Sequence, residues 1–256
     1  MNDTVCRHIA IVGATSGMAE HCARLWAAQP QPTRFTLIGR RPEALARVAA
    51  DLRVRNPAAR VEVLVQRDAR DPADVERKVE QTWAFAPVDV ALIAHGLLPD
   101  QAATQDDLAR CAEALAVNGD SPVLYAAALV RRMTARGAGT LAVIGSVAGD
   151  RGRKSNYTYG AAKAMVEVYM QGLQHRLAVE RSKVRAVLIK PGPTDTPMTA
   201  HLKARGARLA PVEAVAAGIP RAIERGQPVA YLPAPWRFIM AVIKRLPRFV
   251  FNRMDV

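Results

Sequence analysis

A short apolar run leads directly into a glycine-containing turn and then into a helical pattern near the start of the chain. The run is Arg7–Val12, the turn G-A-T-S-G-M-A-E occupies residues 13–20, and the helical pattern continues to Ala28. A strand, a glycine loop and a helix in this order form the context in which a helix N-terminus binds phosphate. Gly13 permits a sharp turn and Gly17 permits close approach of a pyrophosphate. The spacing is neither G-x-G-x-x-G nor that of a P-loop, so a turn without a ligand is the alternative.

Strand-like and helix-like segments alternate along the rest of the chain. Further strands are predicted at Arg34–Ile38, Arg60–Val65, Val88–Ile93, Thr140–Ile144, Val184–Ile189 and Val229–Leu232. This alternation predicts an α/β fold, a Rossmann-like doubly wound parallel sheet of seven strands. We find no internal repeat and no linker, and expect a single catalytic domain over residues 1–234, followed by a basic amphipathic segment over 235–256.

Composition limits the classes of partner. Half of the 256 residues are hydrophobic and the formal net charge is +13, which favours anionic ligands such as phosphorylated cofactors or acidic lipids. Nucleic acid is not expected, because aromatic and basic residues are not interleaved. The scattered cysteines and histidines predict neither a disulfide framework nor a metal site. We expect a cytoplasmic protein, because no signal peptide is evident and no apolar run reaches the ~20 residues of a membrane-spanning helix.

The residues that follow three predicted strands indicate a dinucleotide. Arg40 and Arg41 follow the second strand, where an arginine suits the 2′-phosphate of NADP(H) and an acidic residue would suit the 2′-hydroxyl of NAD(H). Two solvated arginines are the alternative. Asp68, after the third strand, is placed to reach the adenine amino group. The tripeptide Ala94-His95-Gly96 follows the fourth strand, and we expect its histidine to pack or to line the cofactor site rather than to act as a base.

The stretch S-V-A-G-D-R-G-R-K-S-N-Y-T-Y-G-A-A-K, residues 146–163, contains groups suited to proton transfer. Ser146 closes a predicted strand, and Tyr159 and Lys163 lie one turn apart on one face of a helix predicted over about 155–180. A phenol has a pKa of about 10, and a nearby cation lowers it. We therefore expect Lys163 to lower the pKa of Tyr159, and Ser146 to hold a carbonyl oxygen that the phenol protonates. A solvated helix face is the alternative.

Two other polar segments lie at predicted ligand positions. Asn118 is part of a helix that begins near Asp106, and the nearby Gly119 and Pro122 predict a kink. The turn P-G-P-T-D-T-P at 191–197 follows the sixth strand and places two threonines at the carboxyl edge of the sheet, where ligands bind. The segment Met198–Leu209 is expected to form a lid.

Together these residues resemble the short-chain dehydrogenase/reductase family over nearly the whole chain. The matching residues are Gly13, Gly17, Ala19, Asn118, Ser146, Tyr159, Lys163, Pro191, Gly192 and Thr196. Val12 replaces the usual threonine before the first glycine, Ala19 replaces the third glycine, and Ala94-His95-Gly96 replaces the usual N-A-G. We expect these departures to alter cofactor affinity without affecting the catalytic set.

The resemblance implies hydride transfer from NADPH to a carbonyl carbon, in which Tyr159 protonates the oxygen and Ser146 holds it. It also implies that Lys163 binds the nicotinamide ribose and lowers the phenol's pKa, and that Asn118 anchors a water that relays protons. The resemblance also implies pairing through the two helices that carry Asn118 and Tyr159, so a homodimer or homotetramer is expected. The implied cofactor-binding residues are Gly13, Thr15, Ser16, Gly17, Met18, Arg40, Arg41, Asp68, Ala94, His95, Gly96, Tyr159, Lys163, Pro191, Gly192, Thr194 and Thr196.

The C-terminal segment has a basic amphipathic pattern. One predicted helix face contains Trp236, Ile239, Met240, Ile243 and Leu246, and the flanking cations are Arg237, Lys244, Arg245 and Arg248. This pattern suits a peripheral helix on an anionic membrane surface, at the inner face of the membrane. The alternative is that the apolar face packs on the protein itself or on a second subunit.

The same segment, with G-L-L at 96–98, residues 146–156 and M-T-A-H-L-K at 198–203, is similar to decaprenylphosphoryl-2-keto-pentose reductases. This resemblance implies a lipid-linked keto-sugar as the substrate. Two other functions stay open. One is reduction of another hydrophobic ketone, such as a 3-ketoacyl chain, and the other is that of a non-catalytic NADP-binding protein that docks at membranes.

Overall fold

A computed structural model describes residues 6–254 of the chain. Its strands form one seven-stranded sheet. The strands are β1 (Arg7–Val12), β2 (Thr33–Gly39), β3 (Arg60–Val65), β4 (Val90–Ile93), β5 (Thr140–Ile144), β6 (Arg185–Pro191) and β7 (Val229–Leu232). Most of them are buried and apolar, as in parallel sheets that are covered on both faces, whereas β3 lies at an edge and is more exposed.

Helices connect the strands. They are α1 (Gly17–Ala27), α2 (Pro42–Arg55), α3 (Pro72–Phe85), α4 (Gln101–Asp106), α5 (Leu108–Leu115), α6 (Ser121–Arg136), α7 (Tyr157–Val179), α8 (Ala200–Ala204), α9 (Val212–Arg225), α10 (Trp236–Arg245) and α11 (Arg248–Phe251). Local sequence explains several starts. Proline occupies the first position of α2 and α3, and the carboxylate of Asp71 accepts hydrogen bonds from the first backbone N–H groups of α3.

All strand pairs are parallel, in the order β3-β2-β1-β4-β5-β6-β7. The predicted doubly wound seven-stranded sheet is confirmed. From β1 to β3, each new strand is added on the same side of the previous one. The chain then returns and places β4 on the other side of β1. This reversal leaves a crevice at the carboxyl ends of β1 and β4, which is where open α/β sheets bind ligands.

Two apolar layers hold the helices against the sheet. On one face Trp26 of α1 packs with Phe35 and Leu37 of β2, and on the other face Tyr125 of α6 packs with Leu141 of β5. These side chains are almost fully buried. Burial of a large apolar side chain contributes about 1.5–3 kcal/mol, so the two layers fix the ends of the strands that carry the candidate site.

The helical region around Asn118 differs in detail from its prediction. One helix is predicted from about Asp106, but α4 already begins at Gln101, and Asp107 ends it and caps α5 by accepting from Ala109 N–H at 2.8 Å. The irregularity expected at Asn118 is present as a π-helical turn, Ala116–Asp120. Such single turns are frequent at functional sites, because they redirect a side chain within a continuous helix.

The C-terminal helix α10 forms as predicted, but most of its predicted apolar face is turned toward the protein. Met240 is fully buried, and the indole of Trp236 lies against Gly192. The apolar side chains left outside are instead Phe238, at 74% exposure, and Val242, at 62%, with Ile239 at 42%. Spacing alone does not show which side of an amphipathic helix meets the domain, because apolar residues occur on both sides here.

Candidate active site

A cavity of about 400 Å³ opens at the carboxyl ends of the central strands. Many of the predicted cofactor residues line it, namely Gly13, Thr15, Ser16, Gly17, Met18, Arg40, Arg41, Asp68, Ala94, His95, Gly96 and Thr196. The other predicted residues lie beyond this lining, in α7 and around the end of β6; they are Tyr159, Lys163, Pro191, Gly192 and Thr194. The structure therefore brings most of the predicted set to the crevice where the strand order reverses.

The glycine loop after β1 forms the floor of the cavity. Gly13 has a φ of +81°, and a Cβ atom at this position would lie 2.5 Å from the backbone nitrogen of His95. Only glycine fits both that conformation and that contact. Ser16 caps α1 by accepting a hydrogen bond from Ala19 N–H, at 3.3 Å. The N-terminus of an eleven-residue helix thus faces the cavity and favours negative charge there.

Arginines surround the end of the cavity next to β2 and β3. Arg40 and Arg41 line it, and so do Arg67 and Arg70, which were not predicted as cofactor residues. Asp68 lies among them and pairs with Arg70, with 3.0 Å between Nε and Oδ1, and this hydrogen bond lowers the pKa of Asp68. The cations outnumber this carboxylate, so this end suits a phosphate. The basic residues beside Asp68 in the sequence are the signal that could have identified Arg67 and Arg70.

Ser146, Tyr159 and Lys163 come together beside β5. Ser146 caps the single 3₁₀ turn Val147–Gly149, and its Oγ accepts a hydrogen bond from Ala148 N–H at 3.1 Å. Tyr159, in the first turn of α7, lies close enough to Ser146 for that hydroxyl to lower the pKa of its phenol. The ammonium of Lys163, one turn further on, lies 5.7 Å from the Tyr159 ring centre and donates to the carbonyl oxygen of Ile144 at 3.1 Å.

The pKa of Tyr159 shifts in the direction opposite to its prediction. Although the residue is partly exposed, burial raises the pKa of Tyr159 to about 12, and the hydrogen bond with Ser146 offsets this only in part. The expected lowering of that pKa by Lys163 is therefore wrong for this structure. The reason is that desolvation of the phenolate is the largest influence on this pKa, while the ammonium of Lys163 is directed to the Ile144 carbonyl. A phenol that keeps its proton at neutral pH can act as a general acid.

Asn118 fixes the wall between the cavity and Lys163. Its Oδ1 accepts a hydrogen bond from Leu97 N–H, and its Nδ2 donates to the carbonyl of Ala114, both at 2.9 Å. A Cβ atom at Gly96, which lines the cavity, would lie 2.8 Å from Asn118 Oδ1 and 3.7 Å from Lys163 Nζ. The buried Asn118 amide therefore holds the loop after β4 against the catalytic side of α7.

His95 is a neutral group in the cavity wall. Burial first, and then the charges of Lys163 and Arg40, lower the pKa of His95 to about 3. Its Nε2 lies 2.8 Å from Ser121 Oγ, and its buried Nδ1 has no hydrogen-bond partner within residues 6–254. These observations favour the expected lining role over a role as a base.

The loop after β6 forms the opposite wall. Thr194 donates a hydrogen bond to Gly192 O at 2.8 Å, and its segment bridges to Ala210. Because Thr194 and Ala210 flank the predicted lid, 198–209, this bridge holds the two ends of the lid segment close together. It contains the short helix α8, and Lys203 pairs with Asp195 at 2.5 Å.

Neither a metal centre nor a membrane-spanning helix is evident in residues 6–254. No three histidine, cysteine, aspartate or glutamate side chains of this part lie close enough together to hold a metal ion. None of the helices in the same part is both long enough and apolar enough to cross a membrane.

Known proteins identify the family. A family profile described as short chain dehydrogenase matches residues 7–206. An uncharacterised oxidoreductase of Mycobacterium tuberculosis is 32% identical over 256 residues, with 99% of each chain covered. The galactitol 2-dehydrogenase (L-tagatose-forming) of Cereibacter sphaeroides is 29% identical, with coverage of 77% of this chain and 74% of its own. Among solved structures, an actinorhodin polyketide ketoreductase with NADPH has a TM-score of 0.79 at 20% identity, covering 92% of this chain and 99% of that chain.

The chain belongs to the short-chain dehydrogenase family. It is therefore an oxidoreductase that uses a nicotinamide cofactor, and the resemblance seen in its motifs is confirmed at the level of the family. The cavity fits such a cofactor, because it combines the close glycine turn at Gly13, the N-terminus of α1 and a ring of arginines. The unpartnered Nδ1 of His95 is a further polar group available in the wall of this short-chain dehydrogenase.

Lys163 gives the cofactor-free protein a specific pH dependence of stability. Burial lowers the pKa of Lys163 to about 8, against an ordinary value of 10.5. Between these pH values the unfolded chain keeps a proton that the folded chain has released, so this group raises the free energy of unfolding as pH rises. We expect the stability of the wild type relative to Lys163→Met to increase from pH 8 to 10.5 in urea unfolding curves.

The matched control is Lys183→Met, which removes an exposed lysine. A stability difference between wild type and Lys163→Met that stays constant or falls across this window would contradict the buried, depressed lysine.

Proposed function

We propose that this protein is an NADP(H)-dependent reductase that transfers hydride to a ketone. The observation that carries the proposal is the proximity of Ser146 and Tyr159, placed beside Lys163, which lies next to the cavity behind Gly96. A protein that only binds a dinucleotide needs no proton donor at this position. The arrangement therefore favours catalysis over the non-catalytic alternative.

The proton chemistry belongs to Tyr159 and Ser146. A bound reduced nicotinamide supplies the hydride. The neutral phenol of Tyr159 donates its proton to the carbonyl oxygen, and the Ser146 hydroxyl donates a hydrogen bond to the same oxygen as negative charge develops there. Because burial holds the pKa of Tyr159 near 12, the proton stays on the phenol at neutral pH until the substrate oxygen accepts it.

Lys163 and Asn118 supply a new proton to Tyr159 after it has protonated the substrate. With a pKa of about 8, Lys163 can gain and lose a proton near neutral pH, which suits a relay to Tyr159. Its position behind Gly96 also suits a contact with the nicotinamide ribose. We assign Asn118 the role of holding the loop at Leu97 and anchoring the water of this relay.

Activity is best measured as NADPH oxidation with a panel of ketones. The proposed first substrate is a lipid-linked keto-sugar; the relative named galactitol 2-dehydrogenase forms L-tagatose, also a keto-sugar, which supports a sugar ketone. A 3-ketoacyl thioester represents the alternative of another hydrophobic ketone. If no ketone causes NADPH oxidation, the result would favour a non-catalytic NADP-binding protein.

Tyr159→Phe tests the proton donor. We expect kcat to fall on the order of 10²-fold or more, because the phenol supplies general acid catalysis. The dissociation constant for NADPH should be unchanged in a fluorescence titration. The matched control is Tyr157→Phe, since Tyr157 lies two residues earlier in α7 and is 45% exposed. Full turnover in Tyr159→Phe would refute the assignment.

Arg40→Ala tests the choice of cofactor. Arg40 lines the cavity and is exposed. Loss of a hydrogen bond to a charged group costs about 1.5–3 kcal/mol, so KM for NADPH should rise by roughly tenfold or more while KM for NADH stays the same. Arg47→Ala, at an exposed arginine of α2, is the control. Equal effects on the two cofactors would argue against recognition of a 2′-phosphate.

We also propose that the C-terminal segment, which follows the 1–234 domain and packs on it through Trp236 and Met240, meets an anionic membrane surface at the cytoplasmic face of that membrane. Phe238, Val242 and Phe249 are more than 60% exposed, and no acidic residue occurs between 236 and 254. Nearby cations each contribute about 1 kcal/mol at such a surface. At this location, an enzyme that acts on a lipid-linked substrate would lie close to the membrane that holds the substrate.

Vesicle sedimentation tests the membrane proposal. The full-length protein should sediment with vesicles containing phosphatidylglycerol and not with phosphatidylcholine alone. The double variant Phe238→Ser with Phe249→Ser should lose most of this binding, because the inserted apolar area is removed. Val54→Ser, at a residue of α2 that is 81% exposed, is the control. Binding that is the same in all variants, or absent from the wild type, would contradict the proposal.

A homodimer or homotetramer is the proposed assembly. Apolar side chains remain outside on the helices that family members use for pairing, among them Leu108, Val168 and Val179. Pairing through α5, α6 and α7 would cover them and would leave the cavity at the carboxyl edge of the sheet free.

A further inference from the structure

A cluster of buried charges lies directly behind the Ser146 turn. Lys190, the penultimate residue of β6, is 1% exposed and its ammonium binds two carboxylates. One is Asp150, whose side chain is fully buried, and the other is Glu167 of α7, at 2.6 Å. Burial alone would lower the pKa of Lys190, but the hydrogen bonds and charges of Asp150 and Glu167 outweigh it and raise that pKa.

The cluster includes groups from the C-terminal part of the chain. The hydroxyl of Tyr231, in β7, donates to Asp150 Oδ2 at 3.1 Å, and the ammonium of Lys244, in α10, lies 3.7 Å from Asp150 Oδ1. Two ammonium groups thus lie beside two carboxylates, and the guanidinium of Arg153 also interacts with Asp150. The second cation, Lys244, is half exposed and belongs to the C-terminal segment, so this segment contributes to the charge balance of a buried site.

The residue after Asp150 makes a second connection to the same segment. Arg151 donates hydrogen bonds to the backbone carbonyls of Ile243 and Leu246, the latter at 2.7 Å, and its guanidinium lies 3.9 Å from the ring centre of Phe251. Both carbonyls are at the end of α10, where the last carbonyls of a helix have few or no partners in the helix itself; that of Ile243 accepts only a long hydrogen bond from Leu246 N–H, at 3.3 Å. Arg151 therefore binds the end of α10 to the Ser146 turn.

A third connection joins the segment to the loop after β6. A Cβ atom at Gly192 would lie 2.1 Å from the indole nitrogen of Trp236, so the first residue of α10 packs directly on the backbone two residues after Lys190. Asp150 follows the 3₁₀ turn that Ser146 begins, and its N–H donates to Val147 O at 3.2 Å. The Ser146 turn, the loop after β6 and α10 are thus linked through contacts made by Asp150, Arg151 and Gly192.

We propose that Lys190 and Asp150 are positioning residues for Ser146: their ion pair ties the Ser146 turn, the loop after β6 and the C-terminal segment into one unit, so full turnover requires the docked segment. The proposal rests on the reductase function. A small misplacement of a catalytic group is enough to slow a reaction strongly. The membrane-facing side of α10 is a different side, so the segment can be docked on the domain and still present Phe238 outward.

Two variants test the proposal in the full-length protein. Asp150→Asn keeps the shape of the side chain but removes its charge, and Arg151→Met cuts the connection to α10. Each should lower kcat about 10-fold while the dissociation constant for NADPH is unchanged, because the arginine end of the cavity is untouched. The fold-decrease in kcat of the double variant should be smaller than the product of the two single decreases, because both changes release the same unit.

Hydrogen–deuterium exchange gives a readout that does not depend on activity. Either variant should speed exchange in both 146–151 and 236–246. The control Asp51→Asn removes a carboxylate that binds Arg24 at 2.7 Å and Arg55 at 2.9 Å, far along the chain from these segments. It should lower stability without changing kcat or exchange in those two segments.

The outcomes separate this inference from the proposed function. Faster exchange confined to the mutated loop, or an unchanged kcat in both variants of an active enzyme, would overturn the link to the C-terminal segment. If the wild type reduces no ketone, the reductase proposal fails, and exchange alone then decides whether the two segments move as one unit.

Discussion

The candidate site depends on how closely the turn after β5 packs against α7. A Cβ atom at Gly149 would lie 2.8 Å from the carbonyl carbon of Lys163, and one at Gly160 would lie 2.9 Å from a carbonyl oxygen of the turn. Side chains do not tolerate such distances, so only glycine permits this approach. The approach brings Ser146 to Tyr159, and it removes water from the phenol. The raised pKa of the donor therefore follows from backbone packing, because burial is its largest cause and the interaction with Ser146 offsets it only in part.

Much of the fold could be predicted from local sequence, for a physical reason. Strands buried on both faces of a parallel sheet are continuous apolar runs, and each is followed here by a turn, as at Thr140–Ile144. The helices around Asn118 were predicted less well. Their break at Asp107 comes from capping by that side chain, which the helical pattern did not reveal. The π-helical turn at 116–120 contains Asn118, whose partner Leu97 is distant in the sequence. The buried side of α10 depends in the same way on Gly192.

The positions of the candidate residues were also predictable, because parallel strands all bring their carboxyl ends to one edge. Their ionisation was not, since it depends on burial that the spacing of Tyr159 and Lys163 does not contain. The ion pairs of Lys190 could not be predicted from the sequence either. In the sequence it is one lysine in an apolar strand, and its two carboxylate partners come from a loop and a helix that only the folded chain brings together.

A crystal structure of the full-length protein with bound NADP(H) tests the central claim most directly. The account predicts the pyrophosphate at the N-terminus of α1, the 2′-phosphate among the arginines after β2 and β3, and the nicotinamide ring facing the hydroxyl of Tyr159, with Ser146 beside it. A nicotinamide ring placed away from that hydroxyl, or a Tyr159 side chain turned away from Ser146, would contradict it.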